Sequence, residues 1–506
     1  MTLLDAGHGR AADYNNLGSD INSAAVLATC KSPTASISER ASMCLEARNH
    51  KASCLLYNTP EKDDNVVSAH VSNINFPALS ISNRAAADLR SLLAEHGEVK
   101  INFESNLESA DSTTYNVVGN IVGSKYPNEV IYITAHHDSW FYGANDNMSS
   151  VACLLETAKI FNKYRPRRTI RFVIFGSEES GGKAEESAQF GECGSAGYCK
   201  AHYEALTGQL DEIPICIING EFMGYSQLMD AMCSPELIPG AREVASDLGE
   251  YARAVEPTPY WYLSDQVQFH LRGVSSIMFW MTPDLGTGRR SPFFAFYHSD
   301  GDNMDMIKAK ALKKNAELMA LMAMRFDSVD FPYSLETLRD AAVRGTGCLM
   351  NSDRIRQVYD EKVKQCLEEE SREEKLRQIL SLVRAVNMKI YTFVERGFVN
   401  KFEVINDAIE KLRDAANIVE VEGSIGRARD VLVTIENAAR YLEWSREVTD
   451  QADRRAQVFL DLRGIFTAID QQESAELVLK KIRVKLKEAR QLAQNWSEGF
   501  EEALAK

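Results

Sequence analysis

Four short apolar runs between residues 115 and 330 restrict this chain to few folds: EVIYITA (129–135), TIRFVIFG (169–176), IPICIING (213–220) and VSSIMFW (274–280). Each is short and largely apolar, as strands buried on both faces are. Between the first two lies SSVACLLETAKIFNKY (149–164), whose apolar residues recur at helical spacing. Strands alternating with helices predict an α/β domain with a mostly parallel, in part mixed, sheet flanked by helices. In such sheets functional groups gather just beyond the carboxyl ends of the strands.

The flanks read differently. All 9 His lie at or before His298 and all 13 Pro at or before Pro332. Beyond Pro332 the chain is a succession of amphipathic helical patterns, so residues 331–506 are expected to form an α-helical domain that supplies no imidazole to any site. Residues 1–112 carry the strand-like runs SAAVLAT, ASCLLYN and FPALSIS and the helical RAAADLRSLLAEHG, the pattern of a small mixed α/β or β-rich module. The middle domain is then 113–330. A length of 506 residues agrees with more than one core.

A net charge of −15 argues against broad nucleic-acid binding. No apolar run approaches the roughly 20 residues needed to cross a bilayer, and no signal peptide is visible. Ten cysteines in no CxxC pair suggest reduced thiols. The expected location is cytoplasmic, or secreted or periplasmic if the N-terminus has been trimmed.

Each candidate strand ends in residue types that bind metals. EVIYITA runs into His136, His137 and Asp138, then into GANDN with Asp146. TIRFVIFG is followed by Ser177, Glu178 and Glu179, and IPICIING by Glu221. PFFAFYHSDGDN adds Tyr297, His298 and Asp302. A lone strand-end acid is a solvated turn and a lone His a satisfied surface or core residue. Several along one edge of one sheet are hard to produce by chance. Imidazole and carboxylate without thiolate is a set that suits catalytic zinc. Two His and three acids suit two ions sharing a carboxylate, an arrangement that polarises a carbonyl and activates a water. Asp138, two residues beyond His136 on an extended strand, shares its face and can accept the second imidazole N–H, whereas His137 points away. Adjacent Glu178 and Glu179 diverge, so one can bind metal while the other serves as general base. The glycines around them do not make a phosphate loop, because no Lys-Ser or Lys-Thr follows.

The segments AHHDSWFYGANDN, FGSEESGG, NGEFMG and YHSDGDN resemble, in order and spacing, the motifs of the co-catalytic zinc aminopeptidase family, which includes glutamate carboxypeptidase II. SDQVQF followed by GVSS resembles another stretch of the same domain. The resemblance implies two Zn2+ per chain: His136 and Glu221 on one, Glu179 and His298 on the other, Asp146 between them. It implies Glu178 as general base, Asp138 as the support of His136, and Tyr297 as donor to the oxyanion. It also implies a cis peptide bond between Asp146 and Asn147. Glu221 stands where relatives usually carry Asp, and Asn303 where they carry Thr. The N-terminal module resembles a protease-associated insert in which the chain would begin. The C-terminal helices stand where larger relatives carry a dimerisation domain.

These features lead to a zinc-dependent exopeptidase acting on peptides or amino-acid amides, and to an aminopeptidase in particular. A glutamate-carboxypeptidase-like enzyme would need cations for the substrate carboxylate, for which Arg289 and Arg290 are candidates; their alternative is a solvated basic turn. An inactive receptor or scaffold would have lost ligands, and the paired glutamates disfavour a single-zinc glutaminyl cyclase relative. Residues 335–506 are expected to act in assembly, as a homodimer, or in substrate access, and not in the chemistry.

Overall fold

The computed structural model describes residues 1–505 except 31–36, 61, 68–75, 103, 105, 107–111, 180–192, 203–205, 207–211, 249–254, 260–263, 282–291, 395–396 and 444–461. Arg289 and Arg290 therefore lie outside the described residues.

The N-terminal module is α/β. Strands β1 (Thr2–Asp5), β2 (Ala25–Thr29), β3 (Cys54–Asn58) and β4 (Ala78–Ser80) run parallel, and the short β5 (Val99–Lys100) pairs antiparallel with β1. Helices α1 (Ala11–Leu17), α2 (Ile37–Asn49) and α3 (Asn83–His96) connect them. The β2 and β3 runs are almost wholly buried, as strands covered on both faces must be. Helix α3 starts where Ser82 Oγ accepts the N–H of Ala85 and stops at Gly97, whose φ of 72° a glycine adopts without cost.

The central sheet is built from β6 (Val117–Ile121), β7 (Tyr126–His136), β8 (Arg168–Phe175), β9 (Ile213–Gly220), β10 (Met229–Cys233), β11 (Val255–Pro259) and β12 (Ser276–Met281), in the order β11-β10-β12-β9-β7-β8-β6. β12, β9, β7 and β8 are mutually parallel; β6 and β10 join antiparallel to β8 and β12. The sheet is thus mixed, with a parallel centre. Alternation along β7 divides the packing. Ile131, Ile133 and Ala135 enter the core beneath α4 (Ser149–Lys163), while Val130 and Tyr132 enter the one beneath α5 (Cys193–Ala201). Helices α6 (Ile238–Asp247) and α8 (Ala309–Ser328) share the first face, and the short α7 (Gln266–His270) the second.

The C-terminal part of the chain contributes helices α9 (Leu335–Thr346), α10 (Ser352–Glu368), α11 (Arg372–Ile390), α12 (Lys401–Asn417), α13 (Ile425–Glu443), α14 (Arg463–Asp470) and α15 (Ala475–Ala505). Between α11 and α12 stands a hairpin, β13 (Tyr391–Val394) and β14 (Gly397–Asn400), where the sequence pattern predicts helix. The aromatic and β-branched residues of YTFV and GFVN favour extended backbone over the helical reading. The packing does not break at residue 330. Leu338, Ile355, Leu376, Val383, Val386, Phe500 and Leu504 belong to the same core as the β7, β9 and β12 side chains. A second core joins α12 to α15.

An ionic clasp closes that seam. Arg168 has no exposed surface; its Nε is 2.7 Å from Glu129, and its other nitrogens donate to the carbonyls of Phe326, Asp327, Val329 and Asp330. Arg372 on α11 reaches the second oxygen of Glu129 at 3.0 Å and lies over the ring of Tyr126. The ten cysteines form no disulfide. Among the described residues no helix is long and apolar enough to cross a membrane.

Candidate metal centre

Strand β7 delivers His136 as its last residue, buried at the carboxyl edge of the sheet. The chain then turns through Gly143, at φ +52°, where a Cβ would stand 2.0 Å from that of Ser139, so only glycine fits. The next turn, 144–148, buries Asp146, and the Asp146–Asn147 peptide is cis. β8 ends before Ser177, Glu178 and Glu179, and β9 before Glu221. His298 comes from the turn after Pro292–Ala295.

Asp146 lies between the two histidines. Its Oδ1 is 3.4 Å from His136 Nε2 and its Oδ2 is 3.2 Å from His298 Nε2. Glu221 Oε2 is 3.4 Å from His136 Nε2, and Glu179 Oε2 is 3.0 Å from His298 Nε2. Glu178 Oε2 approaches His136 Nε2 at 3.8 Å. Three donor groups result among the described residues, His136–Asp146–Glu221, His136–Glu178–Glu179 and Asp146–Glu179–His298, each with ligand atoms within 4.8 Å of one another.

The donor chemistry fits cations. Four carboxylates packed on two imidazoles leave surplus negative charge even with both rings protonated, and buried charge is costly unless compensated. Glu179 Oε1 is buried with no hydrogen-bond partner among the described residues. Burial alone would lower the His136 and His298 pKa values, but the carboxylates win. Glu221 and Glu178 raise His136 well above the ordinary histidine value, and Glu179 and Asp146 raise His298 to about 9. Burial pushes Glu178 well above the carboxylate range against the pull of His136, and takes Glu179 to about 7.

Asp138 is placed otherwise than the strand argument expects. β7 ends at His136, so the extended geometry that would aim Asp138 at the ring is lost. His136 Nδ1 lies 3.0 Å from the backbone carbonyl of Asp138 and 3.7 Å from its carboxylate. The carboxylate instead accepts the N–H groups of Glu178 and Glu179 at 2.9 and 3.0 Å, and so holds the β8 loop against the β7 loop. His137 turns away, to the Tyr115 carbonyl. The ring of Tyr297 stacks on His298 at 3.7 Å between centroids and packs edge-on against Phe222.

Supporting residues surround these candidates, and of them the sequence singles out Asp302 by type but not by role. Asp302 is buried, and its two oxygens accept the N–H groups of Asn145 and Asp146 at 2.8 and 2.9 Å. Asn147 donates to the Gly220 carbonyl, and Asn145 accepts from Gly224, stitching the 144–148 turn to the β9 loop. Glu221 Oε1 accepts from Asn219 and Ser264, and Asn219 in turn accepts from Thr134. EVIYITA, GANDN, IPICIING, SDQ and YHSDGDN contain these residues, but nothing in the sequence says which way their side chains point. Ser177, Phe222 and His298 have φ of 57°, 55° and 53°, a left-handed conformation that costs non-glycine residues about 1–3 kcal/mol each and concentrates at functional sites. An apolar cleft lined by Tyr142, Met148, Met304 and Leu312 opens nearby, and none of the candidate ligands lines it.

Asp302→Asn keeps size but replaces one acceptor with an NH2 group facing a backbone N–H. We expect metal affinity to fall by roughly 10- to 100-fold, as for other residues that orient ligands, measured by competition with a chromophoric chelator. Unchanged affinity would remove Asp302 from the support of the centre.

Residues 116–323 match Peptidase family M28. Carboxypeptidase Q of Rattus norvegicus is 26% identical over 252 residues, which is 47% of this chain and 47% of that protein. Aminopeptidase NAALADL1 of Mus musculus is 27% identical over 243 residues, 46% of this chain and 30% of that protein. The chain spans less than half the length of these curated relatives. Among solved structures, BSAP, a zinc aminopeptidase from Bacillus subtilis, aligns with a TM-score of 0.47 at 21% identity over 65% of this chain and 75% of that one.

Proposed function

We propose that this chain, whose residues 116–323 form a domain of peptidase family M28, is a zinc-dependent exopeptidase that hydrolyses peptide bonds, most simply as an aminopeptidase. The observation that carries the reading is Asp146 facing two histidines with its two oxygens, at 3.4 and 3.2 Å. His136 and Glu221 would hold one zinc, Glu179 and His298 the other, and Asp146 both. Bound there, the two ions would polarise the scissile carbonyl and lower the pKa of a water.

The chain's own groups do the rest. Glu178 takes the proton of the attacking water and returns it to the leaving amine. Its main chain is held by Asp138, and its carboxylate lies 3.8 Å from His136 Nε2. Tyr297 donates its hydroxyl to the oxygen that gains charge. The five ligand positions are all filled by donor residues, which speaks against an inactive scaffold. Carboxypeptidase Q among the relatives keeps carboxypeptidase activity as a second reading. The N-terminal α/β module is read as a protease-associated insert, and the C-terminal helices as the surface of a homodimer.

Elemental analysis after mild dialysis is expected to give two zinc ions per chain, and chelation to abolish hydrolysis. Amino-acid amides should be cleaved and their N-blocked forms spared. Cleavage of N-blocked dipeptides with a free carboxylate, and not of amides, would shift the assignment to a carboxypeptidase. One metal or none would overturn the two-zinc site.

A further inference from the structure

The turn that carries His298 does not rest on the central domain alone. Residues 62–67 of the N-terminal module lie along it. Lys62 Nζ donates to the backbone carbonyl of Tyr297, and its ammonium stands 5.5 Å from the centre of the Tyr297 ring. The N–H of Val67 donates to Asp300 Oδ1 at 2.8 Å, and the N–H of Asp300 returns to the Val67 carbonyl at 3.2 Å. The N–H of Asp63 donates to the Ala295 carbonyl at 3.2 Å. Packing agrees: a Cβ on Gly301 would meet Val66 Cγ1 at 2.7 Å. These contacts span more than 230 residues of chain on both sides of one candidate ligand.

His298 needs such support. It is a non-glycine residue at φ +53°, a conformation that persists only where surrounding structure over-determines it. The peptide preceding it is the one whose carbonyl the Lys62 ammonium holds. A charged donor makes a stronger hydrogen bond than a neutral one, and an ammonium on a long stem can reach a carbonyl in a neighbouring module. Lys62 is itself held in place, because Asn83 Nδ2 donates to its carbonyl at 2.8 Å.

We propose that Lys62 is a positioning residue of the metal centre, and that the N-terminal module completes the half of it formed by Glu179 and His298. The module then acts on the chemistry through the geometry of one ligand, with no contact to the reacting atoms required. This inference rests on the two-zinc reading.

The test compares the full-length zinc-loaded chain with Lys62→Met, Lys62→Arg and Asn83→Ala, following zinc per chain and its transfer to a chromophoric chelator. Lys62→Met keeps the stem and loses the donor. It should weaken one of the two zinc ions by roughly 10- to 100-fold and leave the other as in the wild type. Lys62→Arg, which restores a charged donor, should recover most of the loss. Should Lys62→Met fail to fold, Asn83→Ala, which removes the bond to the Lys62 carbonyl along with the Asn83 bonds to Asn58 and Pro60, should weaken the same single ion by a smaller factor. Both ions held as in the wild type, or both weakened equally, would overturn the proposal. A wild-type chain that binds fewer than two zinc ions would instead bring down the two-zinc reading, and this inference with it.

Discussion

Glu178→Gln should lower kcat by roughly 10²- to 10⁴-fold, the range that general-base groups supply, while zinc content stays at the wild-type value. Glutamine has the shape of glutamate but cannot take a proton from water. The effect is expected to fall on kcat and not on metal binding because Glu178 lies outside the closest contacts. It stands 3.8 Å from His136, whereas Asp146 and Glu221 approach the same nitrogen at 3.4 Å. The neighbouring Glu179→Gln should behave oppositely and lose metal, since Glu179 is 3.0 Å from His298. Zinc analysis and steady-state kinetics on both variants separate the two roles. An active Glu178→Gln enzyme would remove the general-base assignment, and a zinc-free one would turn Glu178 into a ligand.

Ending the chain after Ser334 should abolish cooperative folding of the peptidase domain. Leu338, Ile355, Leu376, Val383, Val386 and Phe500 are all buried in the core that also holds the central strands. At about 1.5–3 kcal/mol for each buried side chain of this size, those six represent about 9–18 kcal/mol. Even half of that is comparable with the entire stability of a domain, about 5–15 kcal/mol. The clasp adds to the loss, because without Arg372 the buried Glu129 keeps Arg168 as its one cationic partner among the described residues. A single change probes the same seam: Arg168→Met leaves Glu129 and four backbone carbonyls without that partner, and should cost about 3–5 kcal/mol. Urea unfolding of that variant, and calorimetry of the truncated chain, give the measurements. A truncated protein that melts cooperatively and retains zinc would show the helices to be an appendage.

The sequence was most legible where chemistry and periodicity coincide. β7, β8, β9 and β12 were visible as apolar runs, and the acids and histidines at their ends converge in the structure. The resemblance anticipated the cis bond at Asp146–Asn147, which residue types alone do not announce. What stayed hidden depends on direction in space. Asp138 reads as the carboxylate partner of an imidazole, but it meets the His136 ring with its backbone carbonyl and its carboxylate grips the Glu178 and Glu179 backbone, because the strand ends at His136 and the alternation stops there. Asp302 reaches the 144–148 turn across 157 residues, a range that no spacing rule covers, and the bond from Asn219 to Glu221, two residues apart, depends on which way the amide turns. The boundary at 330 marks a change of pattern from α/β to helical. Hydrophobic periodicity shows that a helix has an apolar face, but not whose core that face fills. The hairpin at 391–400 was lost in helical surroundings for a related reason, since strand preference in short segments is set by neighbours.

That Phe500 and Leu504 sit in one core with the central strands also sets an order of events during synthesis. When synthesis passes the end of β12 at Met281, every strand of the sheet has been made, yet the helix that closes the core begins only at Ala475 and ends at Ala505. At about 5–20 residues per second, the exposed face of the sheet waits on the order of 10–45 s for it. Over that interval the apolar strands are open to pairing with other nascent chains, so the yield of active protein should depend on translation speed and on chaperones that shield strand edges.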